Sequence, residues 1–321
     1  MKNKVFLGVD VGSVSTNLVL TDENLHIIEK VYIRNNGDPM KSVVEGMKKI
    51  KIPENSEVCG SGTTGSGRLL ASYIIGADVV KNEIIAHGVA SLKICPEVRT
   101  VLEIGGQDSK IIFIENGIIT DFNMNTVCAA GTGSFLDRTA GRLGVNVEEI
   151  GELALSSKNP VRIAGRCAVF AESDMIHKQQ VGCKREDILN GLCKALVRGY
   201  LNNLSKGRKI KEPVMFQGGV AANKGIKKAF EEELGFSVFV PDEYDVMGAY
   251  GAAILAFENY KKTKNTRFKN IDLNERDWSI ENVSCNGCAN NCSINMIKCG
   301  GDTVGEWGSR CGRSFAKKKS C

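Results

Sequence analysis

Two stretches decide how this chain folds: Gly8-Val9-Asp10-Val11-Gly12-Ser13-Val14-Ser15-Thr16-Asn17 and Leu102-Glu103-Ile104-Gly105-Gly106-Gln107-Asp108-Ser109. In each, a short apolar run carries an acid, breaks at glycine into a polar turn, and resumes as a second apolar run. Residues 4–11 and 17–22 read as paired strands about the first turn, and 99–104 and 110–115 about the second. The module near residues 5–20 therefore recurs near 99–114, weak in identity but strong in layout. Two similar α/β halves facing one another across a cleft are the expected fold.

Working outward, a strand at 26–33, a helix at 39–50, a strand at 56–60 and helices at 67–75 and 82–94 complete the first half. The second half continues with a strand at 118–123 and helices at 135–143, 147–154 and 186–204. A strand at 212–216, a helix at 222–234, a strand at 237–240 and a small-residue helix at 247–260 follow. The expected division is a first half over 1–97 and a second over 98–260, whose last helix can return to the first half. A linker at 261–284 and a Cys-rich segment at 285–321 then follow.

Composition narrows the class. Apolar residues make up 42% and charged residues 25% of 321, an ordinary globular mix that excludes wholesale disorder. A net charge of +5 is small for this length and gives no case for nucleic acid or a membrane surface. No apolar run approaches the roughly 18 residues of a membrane helix, and the start of the chain lacks a signal-peptide pattern. A cytoplasmic location is expected.

The turns carry the chemistry. Glycine lets backbone N–H groups converge on phosphate, and the hydroxyls of Ser13, Ser15 and Thr16 add donors around Gly12 and Val14. Asp10 stands where a Mg²⁺-bound water would bridge to phosphates. The same turn is also simply a hairpin. In the second loop Gly105 and Gly106 permit close approach, while Glu103, Gln107 and Asp108 can orient a water and a metal. A third glycine turn, Phe216-Gln217-Gly218-Gly219-Val220-Ala221-Ala222-Asn223, joins a strand to a helix, and Asp245–Ala253 forms a helix of small residues.

That order resembles the actin, sugar-kinase and chaperone ATPase superfamily, with two actin-like (ribonuclease-H-like) α/β halves around an ATP cleft. Over residues 4–257 the chain looks more narrowly like the ATP-dependent activators of 2-hydroxyacyl-CoA dehydratases, relatives of benzoyl-CoA reductase ATPase subunits. The matches are GVDVGSVSTN at 8–17, EIGGQDSK at 103–110, NTVCAAGTGSFLD at 125–137, GRCAVFAESD at 165–174 and FQGGVAAN at 216–223. The resemblance implies an ATPase with Asp10, Glu103, Gln107 and Asp108 in the catalytic site. ATP would lie on Gly12–Thr16, Gly105, Gly106, Gly131, Thr132, Gly133, Gln217, Gly218, Gly219 and Asn223. The superfamily tends to have Asp where this chain has Glu103; a longer carboxylate still reaches a water.

Cys128 and Cys167 each stand where a loop gives way to a helix, whose positive end favours thiolate. A [4Fe–4S] cluster needs four thiolates, and a two-fold dimer supplies four from two positions. Such activators hold one bridging cluster, so the resemblance implies a homodimer. A ferredoxin or flavodoxin would be the donor, and an iron–sulfur dehydratase or reductase the acceptor. Cys59, Cys95, Cys183 and Cys193 are given no role. Two other readings stay open: a small-molecule kinase of this fold, and a nucleotide-switched binding module with a zinc tail.

Six of the twelve cysteines crowd into the tail: Cys285, Cys288, Cys292, Cys299, Cys311 and Cys321. Polar residues fill the gaps, so a metal staple and a separate module are expected. Cys285, Cys288 and Cys292 are the first ligands, with Cys299 or Cys311 as a fourth. A second iron–sulfur cluster and zinc both suit four thiolates.

Overall fold

The first strand, β1 (Asn3–Val11), is buried from Val5 to Val9, as a strand covered on both faces must be. In the computed structural model, which describes residues 2–125, 129–165, 167–269, 277–312 and 314, it is followed by β2 (Ser15–Thr21), β3 (Ile27–Arg34), α1 (Pro39–Lys49), β4 (Ser56–Thr64), α2 (Arg68–Ile75), β5 (Val79–Val80) and α3 (Glu83–Ile94). The sheet order is β3-β2-β1-β4-β5. β1 runs antiparallel to β2 and parallel to β4. Asp38 begins α1 by accepting a hydrogen bond from the Lys41 N–H at 2.9 Å, with Pro39 in the first turn.

The pattern then repeats. β6 (Thr100–Ile104), β7 (Ser109–Glu115) and β8 (Ile118–Asn125) precede the helices α4 (Gly133–Leu143), α5 (Ile150–Leu155), α6 (Ala168–Gln180) and α7 (Arg185–Leu204). β9 (Val214–Gln217) and α8 (Lys224–Leu234) close the repeat. The order β8-β7-β6-β9, with β6 antiparallel to β7 and parallel to β9, reproduces the first sheet without its fifth strand. The interior is built on α7, where the rings of Tyr200 and Phe216 meet Phe230 edge-on at 5.3 and 5.1 Å. The sequence reading of 237–240 as a strand reduces to a single bridge, Met215 to Phe239.

Two compact units result, residues 1–86 with 248–321, and residues 87–247. α9 (Met247–Thr263) belongs to the first unit but for its first residue. Its small residues have a steric reason: a Cβ on Gly8 would lie 1.8 Å from the Ala249 carbonyl oxygen.

The tail departs most from expectation. β10 (Trp278–Ser284), β11 (Ser293–Cys299) and β12 (Asp302–Trp307) form an antiparallel three-stranded sheet on the first unit. It is not detached. Ile297 is fully buried in the first unit's core, with Trp278, Val304 and Trp307 packed against it. The Tyr73 ring of α2 stacks on Trp307 at 6.2 Å, and its hydroxyl donates to the Glu306 carbonyl at 3.0 Å. Residues before the sheet are also held: the N–H of Lys269 donates to the Ile75 carbonyl, and the Thr266 hydroxyl to Asp78. Two tryptophans supply the apolar area that the polar composition hides.

Candidate functional site

The two glycine loops are the same hairpin twice. Val11 pairs with Thr16 and Ile104 with Ser109, so each turn has four residues, 12–15 and 105–108. The Gly12 N–H donates to the Ser15 carbonyl at 2.9 Å, and the Gly105 N–H to the Asp108 carbonyl at 3.0 Å. One pair further back, Asp10 faces Asn17 and Glu103 faces Lys110. The register therefore makes Asp10 and Glu103 equivalent positions of the two units.

In the first loop Ser13 is exposed and Gly12, Val14 and Ser15 are half-buried. Thr16 is fully buried, and its hydroxyl donates to the Asn35 Oδ1 at 2.7 Å. Asn35 Nδ2 in turn donates to the Gly12 carbonyl at 2.7 Å. Thr16 therefore braces the turn through Asn35, a residue that the sequence reading passed over because it lies beyond the motif, after β3. Asp10 lies against Gly65, where φ is +86° and a Cβ would come 2.4 Å from its Oδ1. Only glycine fits that backbone beside the carboxylate.

The second loop is built around a cation. Lys110 is 2% exposed, and its Nζ donates to Glu103 Oε2 and to Asp108 Oδ1, each at 2.9 Å. Buried charges persist only when paired and hydrogen-bonded. Glu103 is equally buried, Asp108 half-buried and Gln107 exposed, so Gln107 and Asp108 are the members of this set that reach solvent. Lys110 stands in EIGGQDSK without a role in the sequence reading. Counting back across the four-residue turn would have placed it opposite Glu103.

The same loop grips the start of α4. The N–H groups of Gly133 and Ser134 donate to the carbonyls of Gly105 and Gly106 at 2.9 and 2.8 Å. The Ser134 hydroxyl adds a second bond to the Gly106 carbonyl. Thr132 is buried at the N-cap, its hydroxyl bonded to the Ala129 carbonyl, and Gly131 ends the short helical turn at 129–131. Cys128 lies outside the described residues, one position before that turn.

In the third loop Gln217 is fully buried and does not reach solvent. Its Oε1 accepts from the Ser91 hydroxyl at 3.3 Å, and its Nε2 lies 2.9 Å from His87 Nδ1. Burial, with the Lys110 charge adding to it, holds the His87 pKa down at about 3, so the ring is neutral at pH 7. Gly218 has φ +88°, and a Cβ there would meet the Ile104 carbonyl oxygen at 2.4 Å and Glu103 Oε1 at 2.7 Å. Gly218 thus lies directly against the end of β6, just before the second loop. Asn223 caps α8 by accepting from the Ile226 N–H at 3.0 Å.

Cys167 is half-buried at the N-cap of α6. The next turn of that helix exposes Val169 and Phe170, each at 67%, and Val181 follows at its far end. Glu172 pairs with Arg138 at 3.2 Å and with Arg142, tying α6 to α4. The helices after Cys128 and Cys167 are therefore fastened to each other. Cys193 differs: burial pushes its thiol up to about 12, and burial also raises that of Cys59, as befits packed core cysteines. Among the described residues, no three His, Cys, Asp or Glu side chains are placed to hold a metal ion. Among them too, no helix is long and apolar enough to cross a membrane.

A duplicated β-sheet unit with a glycine hairpin and acid in each copy, and a third glycine turn against the second, defines an ATPase of the actin-like fold. Within that class the chain belongs to the BadF/BadG/BcrA/BcrD ATPase family, matched over residues 7–256. It is 34% identical to the (R)-2-hydroxyglutaryl-CoA dehydratase activating ATPase of Acidaminococcus fermentans, over 80% of this chain and 98% of that protein. The crystal structure of component A of that dehydratase superposes with a TM-score of 0.74 over 80% of this chain and 99% of the other. The activator of 2-hydroxyisocaproyl-CoA dehydratase from Clostridium difficile, solved with bound ADPNP, gives 0.73 at 33% identity, over 84% and 99%. The tail strands lie beyond the residues that the family matches.

Proposed function

We propose that this ATPase is the ATP-driven one-electron donor to an iron–sulfur enzyme, a 2-hydroxyacyl-CoA dehydratase or a related reductase. The observation that carries the reading is Cys167 at the start of α6, ringed by exposed Val169 and Phe170 and fastened through Glu172 to the helix after Cys128. Apolar side chains exposed beside a cysteine suit a surface that a second copy covers. Described residues of one chain offer no complete ligand set, while two cysteines from each of two chains make four. Cys167 suits that role by its place, half-buried at the N-cap of α6 beside the exposed apolar residues. A [4Fe–4S] cluster held there supplies a one-electron carrier.

The nucleotide is held by the chain's own loops. The backbone of Gly12–Ser15 and of Gly105–Gly106 would receive the phosphates, Asp10 and Asp108 would hold Mg²⁺ and its waters, and Gln107 would orient the attacking water. Gly218 and Gly219 leave room for the adenosine. Buried Glu103, Thr16 and Gln217 act from behind the loops by fixing their shape. Because the carbonyls of Gly105 and Gly106 accept from the first residues of α4, any shift of this loop on phosphate binding moves that helix. The Glu172 pairs pass the shift to α6. A ferredoxin or flavodoxin re-reduces the protein, and hydrolysis resets it.

The test is anaerobic purification of the wild type, Cys167→Ala and Phe170→Asp, with iron, acid-labile sulfide and mass measured on each. The wild type is expected to be a dimer with one cluster per two chains, Cys167→Ala to lose it while still hydrolysing ATP, and Phe170→Asp to be monomeric. A colourless wild type that phosphorylates a small molecule would overturn the proposal.

A further inference from the structure

The two glycine hairpins share a register but not their charges. Behind each turn, Asp10 faces the uncharged Asn17, whereas Glu103 faces Lys110. The last residue of the turn is Ser15 in the first hairpin and Asp108 in the second. The first copy thus carries one carboxylate, Asp10, half-buried at the end of its strand. In the second copy the equivalent carboxylate, Glu103, is buried, and the half-buried one is Asp108, displaced into the turn.

The added lysine links the two acids. Its Nζ donates to Glu103 Oε2 and to Asp108 Oδ1, each at 2.9 Å. Its main chain is held as well, because the buried Tyr200 hydroxyl of α7 donates to the Lys110 carbonyl at 2.5 Å. The other oxygen of Glu103 is confined by glycine: a Cβ on Gly218 would come 2.7 Å from Oε1, and one on Gly105 3.2 Å. Glu103 is therefore an anchor. The Gly105 Cβ would also lie 2.9 Å from Asp108 Oδ1, so the Asp108 carboxylate folds back over the same glycine towards Lys110. Lys110 takes Oδ1 and leaves Oδ2 for a cation.

We propose that Lys110 is a positioning residue for ATP hydrolysis: anchored on Glu103, it fixes Asp108 at Oδ1 so that Oδ2 is presented to Mg²⁺. Asp108, not Glu103, then does in the second unit what Asp10 does in the first. The proposal rests on the reading of Asp108 as a Mg²⁺ residue. A single carboxylate suits Mg²⁺, which keeps several waters and takes other ligands from phosphates. The Asp108 side chain is 29% exposed and sits on a turn, where several rotamers are open to it. A fixed ammonium selects one of them, which is how a supporting residue holds a reacting geometry. At 2% exposure Lys110 acts only through its two carboxylates.

The test compares the full-length wild type, Asp108→Asn, the pair Glu103→Gln with Lys110→Met, and all three changes together. The pair removes one charge of each sign, so the local net charge is kept and no buried acid is left alone; Lys110→Met by itself serves if the pair fails to fold. Steady-state ATP hydrolysis is measured, with calorimetric binding of ADP in the presence and absence of Mg²⁺. In the pair, kcat is expected to fall about 10–10²-fold while KM changes by less than about 3-fold. The tightening of ADP binding by Mg²⁺ should shrink in the pair and in Asp108→Asn alike. Added to Asp108→Asn, the pair should cost less than about 3-fold more, because residues acting through one group are not additive. A pair that hydrolyses ATP and responds to Mg²⁺ as wild type while Asp108→Asn does not, or losses that multiply in full, would overturn the positioning role alone. Normal hydrolysis and a normal Mg²⁺ response in Asp108→Asn would overturn the reading of Asp108, and this proposal with it.

Discussion

Replacing Lys110 with Met leaves a side chain of similar length and removes the ammonium held between Glu103 and Asp108. In the wild type both carboxylates accept from the same ammonium at 2.9 Å, with Lys110 and Glu103 both almost wholly buried. Removing one partner of a buried ion pair costs about 3–5 kcal/mol, because the other charge stays behind in a poorly solvated place. Asp108 is partly solvated, so Glu103 accounts for most of the loss. For a unit of this size 3–5 kcal/mol corresponds to a fall of about 10 °C in Tm. The sign with pH follows from proton uptake. In the variant Glu103 is relieved by binding a proton, so the folded form holds more protons than the unfolded one and gains stability as pH falls. Calorimetry at pH 8 and pH 5.5 should therefore show a deficit that is largest at pH 8 and shrinks at pH 5.5, and Glu103→Gln added to Lys110→Met should recover much of it. A Lys110→Met protein as stable as wild type at pH 8, or a deficit indifferent to pH and to Glu103→Gln, would refute the reasoning.

Three further outcomes follow from the same geometry. His87 has its pKa held at about 3 against an ordinary 6.5, so the folded state binds fewer protons than the unfolded between these values and stability is lost as pH falls through that range; by pH 5 the loss amounts to about 2 kcal/mol, and His87→Asn should flatten that slope in urea titrations. Both tryptophans of the chain lie in the tail sheet, so their fluorescence reports the tail alone; Tyr73→Ala, which loses the Trp307 stack and the bond to Glu306, should destabilise this signal by about 2–3 kcal/mol, and an unchanged signal would mean that the sheet stands by itself. Asp10→Asn should lower ATP hydrolysis by about 10²–10³-fold with the fold intact, and turnover at the normal rate would remove Asp10 from the metal site.

The duplicated hairpin was legible because it rests on local rules: apolar runs of strand length and glycine where the turn needs it. The acids at 10 and 103 were legible for the same reason. The partners of Thr16 and Gln217 were not, since Asn35 reaches the first loop from beyond β3, and His87 and Ser91 reach Gln217 from α3, across 130 and 126 positions. Gln217 shows the limit well: its place in a glycine motif suggests a nucleotide contact, whereas its side chain is spent inside the unit. The tail misled for another reason. Its composition is polar, but Trp278, Ile297, Val304 and Trp307 fall where the sheet meets α2 and its surrounding core, and only the register shows that Trp278, Ile297 and Trp307 share a face.

The central claim is that nucleotide binding at the glycine loops is felt at Cys167, which opens α6, and at the cluster it shares with Cys128. Electron paramagnetic resonance of the anaerobically reduced protein, recorded with and without Mg-ATP, tests it most directly. The account predicts a reduced-cluster signal whose line shape changes on adding nucleotide, disappears in Cys167→Ala, and persists but fails to respond in Asp10→Asn. A wild-type signal indifferent to Mg-ATP, or one that survives Cys167→Ala unchanged, would contradict it.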